Sequence, residues 1–124
     1  MRPHKNLLVW KDAIELVETI YNLSNKFPES EKFGLTSQLK RAVVSIPTNI
    51  AEGAARNTKK EFIQFLYISS GSLSEVDTLI TIASNLNYIK KEEFEVITQK
   101  MDKVSALLNG LIKKLKMDIK VQAN

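Results

Sequence analysis

Apolar residues recur three and four positions apart along nearly the whole chain, the spacing of one buried helix face. Trp10, Ala13, Ile14, Val17, Ile20 and Tyr21 form the first such stripe, with Lys11, Asp12, Glu15 and Glu18 mostly off it. They predict a helix over residues 7–26, capped by Asn6 and stopped by Pro28. Leu35, Leu39, Val43, Ile46 and Ile50 predict a second helix over residues 35–55, after a polar connection. Thr58 and Glu61 match a capping box, in which each side chain satisfies the other's free backbone N–H. They open a third helix over residues 59–86, with Phe62, Phe65, Leu66, Leu73, Val76, Ile80 and Ala83 as its seam. Glu92 and Glu93 suit the positive start of a fourth helix over residues 91–117. There Phe94, Ile97, Met101, Val104, Leu108, Leu111 and Leu115 keep a steady rhythm, and residues 118–124 are expected to fray. Short links and the lack of any alternating strand pattern make this one all-α domain over residues 1–124, an up-down-up-down antiparallel four-helix bundle.

The second helix breaks a local rule. Pro47 cannot donate to the Val43 carbonyl and its ring crowds it, so the helix either kinks there or divides in two. The stripe stays in phase through Ile46 and Ile50, which favours a single helix kinked at Pro47. Ser45, Pro47, Asn49, Glu52 and Gly53 read as a structural motif, with Ser45 or Thr48 serving freed backbone groups and Asn49 and Glu52 bonding to neighbours.

A second face of this helix carries Ser37, Val44, Thr48, Ala51 and Ala55, small or uncharged where a solvated face would carry Lys and Glu. Only Glu75 and Asp77 are charged between Phe62 and Asn87, so the third helix is expected to be mostly buried. Both features point to self-association, with Val44, Thr48, Ala51, Ala55 and Tyr67 as candidate interface residues. Gly110, inside the fourth helix, hints at a close contact.

Composition narrows the classes. The 124 residues are 44% hydrophobic and 26% charged, ordinary for a globular domain, and contain no cysteine. Disulfides and thiolate metal sites are therefore excluded, and with no apolar run of membrane length a cytoplasmic location is expected. The formal charge of +4 is regional: residues 1–60 hold ten bases and six acids, residues 61–124 eight of each. Lys40, Arg41, Arg56, Lys59 and Lys60 face one acid, Glu52, within residues 36–60, which makes them candidate contacts for a polyanion. Lys113, Lys114 and Lys116 suit the negative end of the fourth helix, which suffices to explain them, though they could equally touch polyanions.

Catalytic signatures are missing. Di-iron bundles need Glu-x-x-His pairs and small helical ribonucleases an Arg and a His together on a helix, but the only histidine, His4, precedes the helices and is expected to be solvated. The glycines at 34, 53, 71 and 110 are too scattered to cradle phosphate, and no Ser–His or Cys–His pair can be assembled. No enzyme, cofactor, metal or small-molecule substrate is expected.

The stretch F-G-L-T-S-Q-L-K-R-A-V-V-S-I-P-T-N-I-A-E-G, followed by K-K-E-F-I-Q-F-L-Y-I-S-S-G-S-L-S-E, resembles the four-helix bundle proteins encoded by intervening sequences of bacterial 23S ribosomal RNA genes. L-L-V-W-K-D-A near the start and L-N-G-L-I-K-K-L near the end fit the same pattern. The resemblance implies a cytoplasmic bundle assembled as a ring-like homopentamer, with no catalytic residue to carry over and an architectural role for Pro47 to Gly53. The family is also similar to the accessory protein of diversity-generating retroelements, a basic pentamer that binds nucleic acid and a reverse transcriptase. Two readings result. One is an oligomer that binds RNA, or less readily DNA, through a basic surface with low sequence specificity. The other is an assembly scaffold indifferent to nucleic acid.

Overall fold

Residues 2–123 are described by the structure, a computed structural model. The helices are α1 (Leu8–Ser24), α2 (Leu35–Ala54), α3 (Lys59–Asn85) and α4 (Lys91–Ala123), with short 3-10 turns at Pro3–Asn6 and Glu29–Glu31. Among the described residues there is no strand. Each helix packs on two others, α2 on α1 and α3 and α4 on α3 and α1, which closes a four-helix bundle. Cross-helix pairs give the directions. Lys26 meets Glu93, Glu15 meets Lys100 and Asp12 meets Lys103, so α4 descends as α1 rises. Ser45 meets Ser72 while Gly53 lies against Phe62, which sets α2 against α3 in the same antiparallel sense. Leu16, Ile20, Leu39, Ile46, Ile50, Leu66, Ile80, Ile97 and Leu108 fill the centre.

The helix ends show local chemistry at work. Thr58 Oγ1 accepts from the Glu61 N–H at 3.1 Å, one half of the capping box. The other half differs, because the Glu61 carboxylate takes the Thr58 hydroxyl at 3.0 Å instead of a backbone N–H. At the far end of α3, Asn87 adopts φ 65° and the Tyr88 N–H reaches back to the Ala83 carbonyl at 2.9 Å, a Schellman-type stop. The start of α4 is secured by Glu93, whose carboxylate accepts the Lys90 N–H at 3.0 Å.

Several expectations are corrected. The cap of α1 is Leu7, with no side-chain bond, because Asn6 is taken up in the preceding 3-10 turn. The buried stripe of α1 is Val9, Ala13, Leu16, Ile20 and Leu23, while Trp10, Ile14 and Val17 are half-buried and Tyr21 is exposed. Apolar residues cover two adjoining stripes of α1, and the packing of α2 and α4 chose the other one. α3 buries one face only, leaving Tyr67, Ile68 and Ile82 exposed, since a helix in a four-membered bundle touches just two neighbours. The fraying expected from residue 118 does not occur as far as Ala123, while Asn124 lies outside the described residues. Asp118 pairs with Lys59 at 3.6 Å and Ile119 packs partly on the core, which extends the helix. Lys113, Lys114 and Lys116 are therefore not at the helix end; Lys120 is. Gly110 makes no close approach, for a Cβ there would meet nothing within 4 Å.

Candidate nucleic-acid interface and assembly face

α2 runs unbroken through Pro47, so the reading as two separate helices falls. Pro47 has no N–H for the Val43 carbonyl, and side chains serve the three carbonyls that follow. Thr48 Oγ1 donates to the Val44 carbonyl at 2.8 Å, and Asn49 Nδ2 donates to the Ser45 carbonyl at 2.8 Å and to Ser45 Oγ at 2.9 Å. From α3, the buried Ser69 hydroxyl donates to the Ile46 carbonyl at 2.9 Å, and Ser72 Oγ lies 2.9 Å from Ser45 Oγ. Further along, a Cβ on Gly53 would sit 2.7 Å from Phe65 Cβ and 2.8 Å from Phe62 Cδ1, so only glycine admits this approach. Ser45, Asn49 and Gly53 thus belong to one α2/α3 joint, while Pro47 itself faces α1. Glu52 is not part of the joint; it is exposed and its side chain makes no hydrogen bond among the described residues. Ser69 and Ser72 were missed, although serines set into an apolar helix are a readable sign of backbone bonding.

On the opposite side of α2, Val44, Pro47, Thr48, Ala51 and Glu52 meet Trp10, Ile14 and Val17 of α1 in a mainly apolar groove of about 420 Å³. Val44 remains 39% exposed there, with no neighbour over it in the single chain. Ala55 is exposed just beyond the helix end. His4, expected in solvent, is half-buried, its ring 4.8 Å from that of Trp10. Tyr67 stands apart from this face, between α3 and α4, where the Lys116 ammonium donates to its hydroxyl. The candidate interface residues therefore divide four to one, and the α1 contribution to the groove was hidden because Trp10, Ile14 and Val17 had been read as core.

The five candidate bases divide too. Lys40 and Arg41 lie about 20 Å along the helix axis from the end of α2 at Ala54. Lys40 stands 5.0 Å from the Tyr21 ring centroid, and Arg41 is exposed. Arg56 lies 4.7 Å over the Phe65 ring, Lys59 holds Asp118, and Lys60 is exposed without an ion-pair partner among the described residues. The antiparallel return of α4 brings Lys113, Lys114, Lys116 and Lys120 to this same end, and the start of the chain adds Arg2 and Lys5. Residues 2–5, 52–61 and 113–120 together hold nine bases and three acids. The other end, residues 26–41 and 90–95, holds six bases and five acids. The bundle is polarised along its axis, which the linear charge count did not reveal.

Among the described residues, no group of three or more His, Asp or Glu is placed to hold a metal, and no helix is long and apolar enough to cross a membrane. A family model described as 23S rRNA-intervening sequence protein matches residues 5–110. Among solved structures, a protein with unknown function from the S23 ribosomal protein family of Bacteroides thetaiotaomicron VPI-5482 is similar, with 26% identity and a TM-score of 0.79 over 86% of this chain and 99% of that one. No curated protein matches.

Proposed function

The chain belongs to the 23S rRNA-intervening sequence protein family, and on that premise we propose that it is a non-enzymatic, self-associating cytoplasmic bundle that binds nucleic acid through its basic end. The segregation of nine bases against three acids at that end carries the reading. Lysines and arginines clustered on one surface release counterions from a phosphate backbone, which supplies affinity without sequence reading. Arg56, Lys59 and Lys60 take part with the lysines of α4, whereas Lys40 and Arg41 do not. RNA is favoured over DNA because the family and the structural relative are both described in ribosomal terms.

Titration of labelled RNA and DNA against salt tests this. Affinity should fall steeply as salt rises, and Lys60→Glu should flatten the slope of log affinity against log salt by about 0.7 to 0.9. Arg41→Glu should leave that slope unchanged. Salt-independent affinity, or equal effects of the two substitutions, refutes the basic end as the site.

A specific observation also favours the scaffold reading, namely the uncovered groove of Trp10, Ile14, Val17 and Val44. A second copy covering it would give the assembly, for which the family resemblance implies five subunits. Solution mass is the measurement, and Val44→Glu combined with Thr48→Glu should reduce it to that of one chain. An assembled protein that ignores RNA and DNA at low salt would establish the scaffold reading instead.

A further inference from the structure

At the basic end, α3 and α4 enclose a groove of about 340 Å³ that neither the helix-dipole reading of the lysines nor the assembly reading of Tyr67 accounts for. Its walls are Tyr67, Asn109, Ile112, Lys113, Lys116, Met117 and Lys120. Lys113, Lys116 and Lys120 are three and four residues apart and share one face of α4. No carboxylate lines the groove, and Asp118, the nearest acid along α4, pairs with Lys59 at 3.6 Å. The groove therefore suits an anionic occupant. The rest of the lining asks for a flat apolar group as well. Ile112 is buried beneath, and the Met117 side chain is exposed beside it. Tyr67 is 46% exposed, and its ring is braced by Lys116, whose Nζ lies 5.2 Å from the centroid and donates to the hydroxyl.

We propose that this groove holds an unpaired nucleotide of a single nucleic-acid strand, with its base against Tyr67 and its flanking phosphates on Lys113 and Lys120. The proposal rests on the reading of the basic end as a nucleic-acid surface and adds a preference that charge alone does not supply. A single strand can offer a base face and phosphates together, whereas a duplex keeps its bases stacked and offers this groove only phosphates. Base stacking on an aromatic ring tolerates any base, in keeping with low sequence specificity.

The test is fluorescence anisotropy with one short labelled RNA, as a single strand and as a duplex, across a salt series. The protein should bind the single strand more tightly than the duplex at equal salt. Tyr67→Ala should lower single-strand affinity about fivefold or more, with the salt slope and duplex binding unchanged. Tyr67→Phe, which keeps the ring, should bind as the parent does. Lys113→Gln with Lys120→Gln should flatten the single-strand salt slope by about 1.4. Thermal melts by circular dichroism check that each variant is folded, and the lysine pair alters only exposed side chains. Undiminished single-strand binding by Tyr67→Ala, with a normal salt slope, overturns the groove and leaves the basic end standing. Absence of salt-dependent binding in the parent protein overturns both.

Discussion

Where α2 meets α3 the contacts are close and uncharged, whereas α1 faces α4 across a row of ion pairs. The first interface brings Gly53 against Phe62 and Phe65, and joins Ser69 to the Ile46 carbonyl and Ser72 to Ser45. The second pairs Lys26 with Glu93 at 2.9 Å, Lys100 with Glu15 at 2.7 Å and Lys103 with Asp12 at 3.2 Å, all at least partly in water. Buried groups must match in shape and leave no donor unmade, so the α2/α3 joint fixes distance and register. Ion pairs that reach solvent are screened by water and salt, so the α1/α4 seam tunes rather than defines the packing. Two residues just before the proline, Ser45 and Ile46, are tied to the defining α2/α3 joint. Ser69 of α3 bonds the Ile46 carbonyl directly, so this turn of α2 has a partner outside the helix as it passes Pro47.

This contrast can be broken most severely at Gly53. Gly53→Ala should cost about 1–3 kcal/mol, read as a lower urea midpoint, because the new methyl collides with Phe62 and Phe65. An unchanged midpoint would mean that α2 and α3 can separate freely. Ser69→Ala comes next, with an expected loss of about 1 kcal/mol as the buried bond to Ile46 disappears. Gly110→Ala should act in the opposite sense and raise stability by up to about 1 kcal/mol, since the site is open and glycine is a poor helix former. The smallest effect belongs to the ion-pair seam under acid. The hydrogen bond from Lys100 holds the Glu15 carboxyl below its ordinary 4.5, and the bond from Lys26 does the same for Glu93. A carboxyl lowered in the folded state stabilises above its unfolded value, and that contribution is lost as pH falls through the folded one. Melting temperature should therefore decline slightly as pH drops below 4.5, less so at high salt, and Lys100→Gln should blunt the decline. A decline untouched by Lys100→Gln would place the acid sensitivity elsewhere.

Much of the fold was legible because long helices advertise themselves through spacing. α2, α3 and the start of α4 fall within two residues of the boundaries that Leu35, Thr58 and Glu92 imply. The site was less legible. Lys40, Arg41 and Lys60 are close in sequence, but a helix rises 1.5 Å per residue, and that rise carries the first two away from the third. Conversely, Lys116 and Tyr67 are 49 residues apart and touch. Glu52 resembled a bonding partner from its place in the motif, yet its side chain lies on the exposed side of α2.

By itself the sequence determined that four helices form and that α2 survives its proline. Periodicity, capping and residue chemistry act within a few positions of one another, so they can be read along the chain. Which stripe of α1 faces inward, which glycine is indispensable, and which bases share a surface were decided only by tertiary structure. Those outcomes depend on distances between segments that the antiparallel packing of α4 against α1 and α3 sets, and a linear pattern carries no such distances.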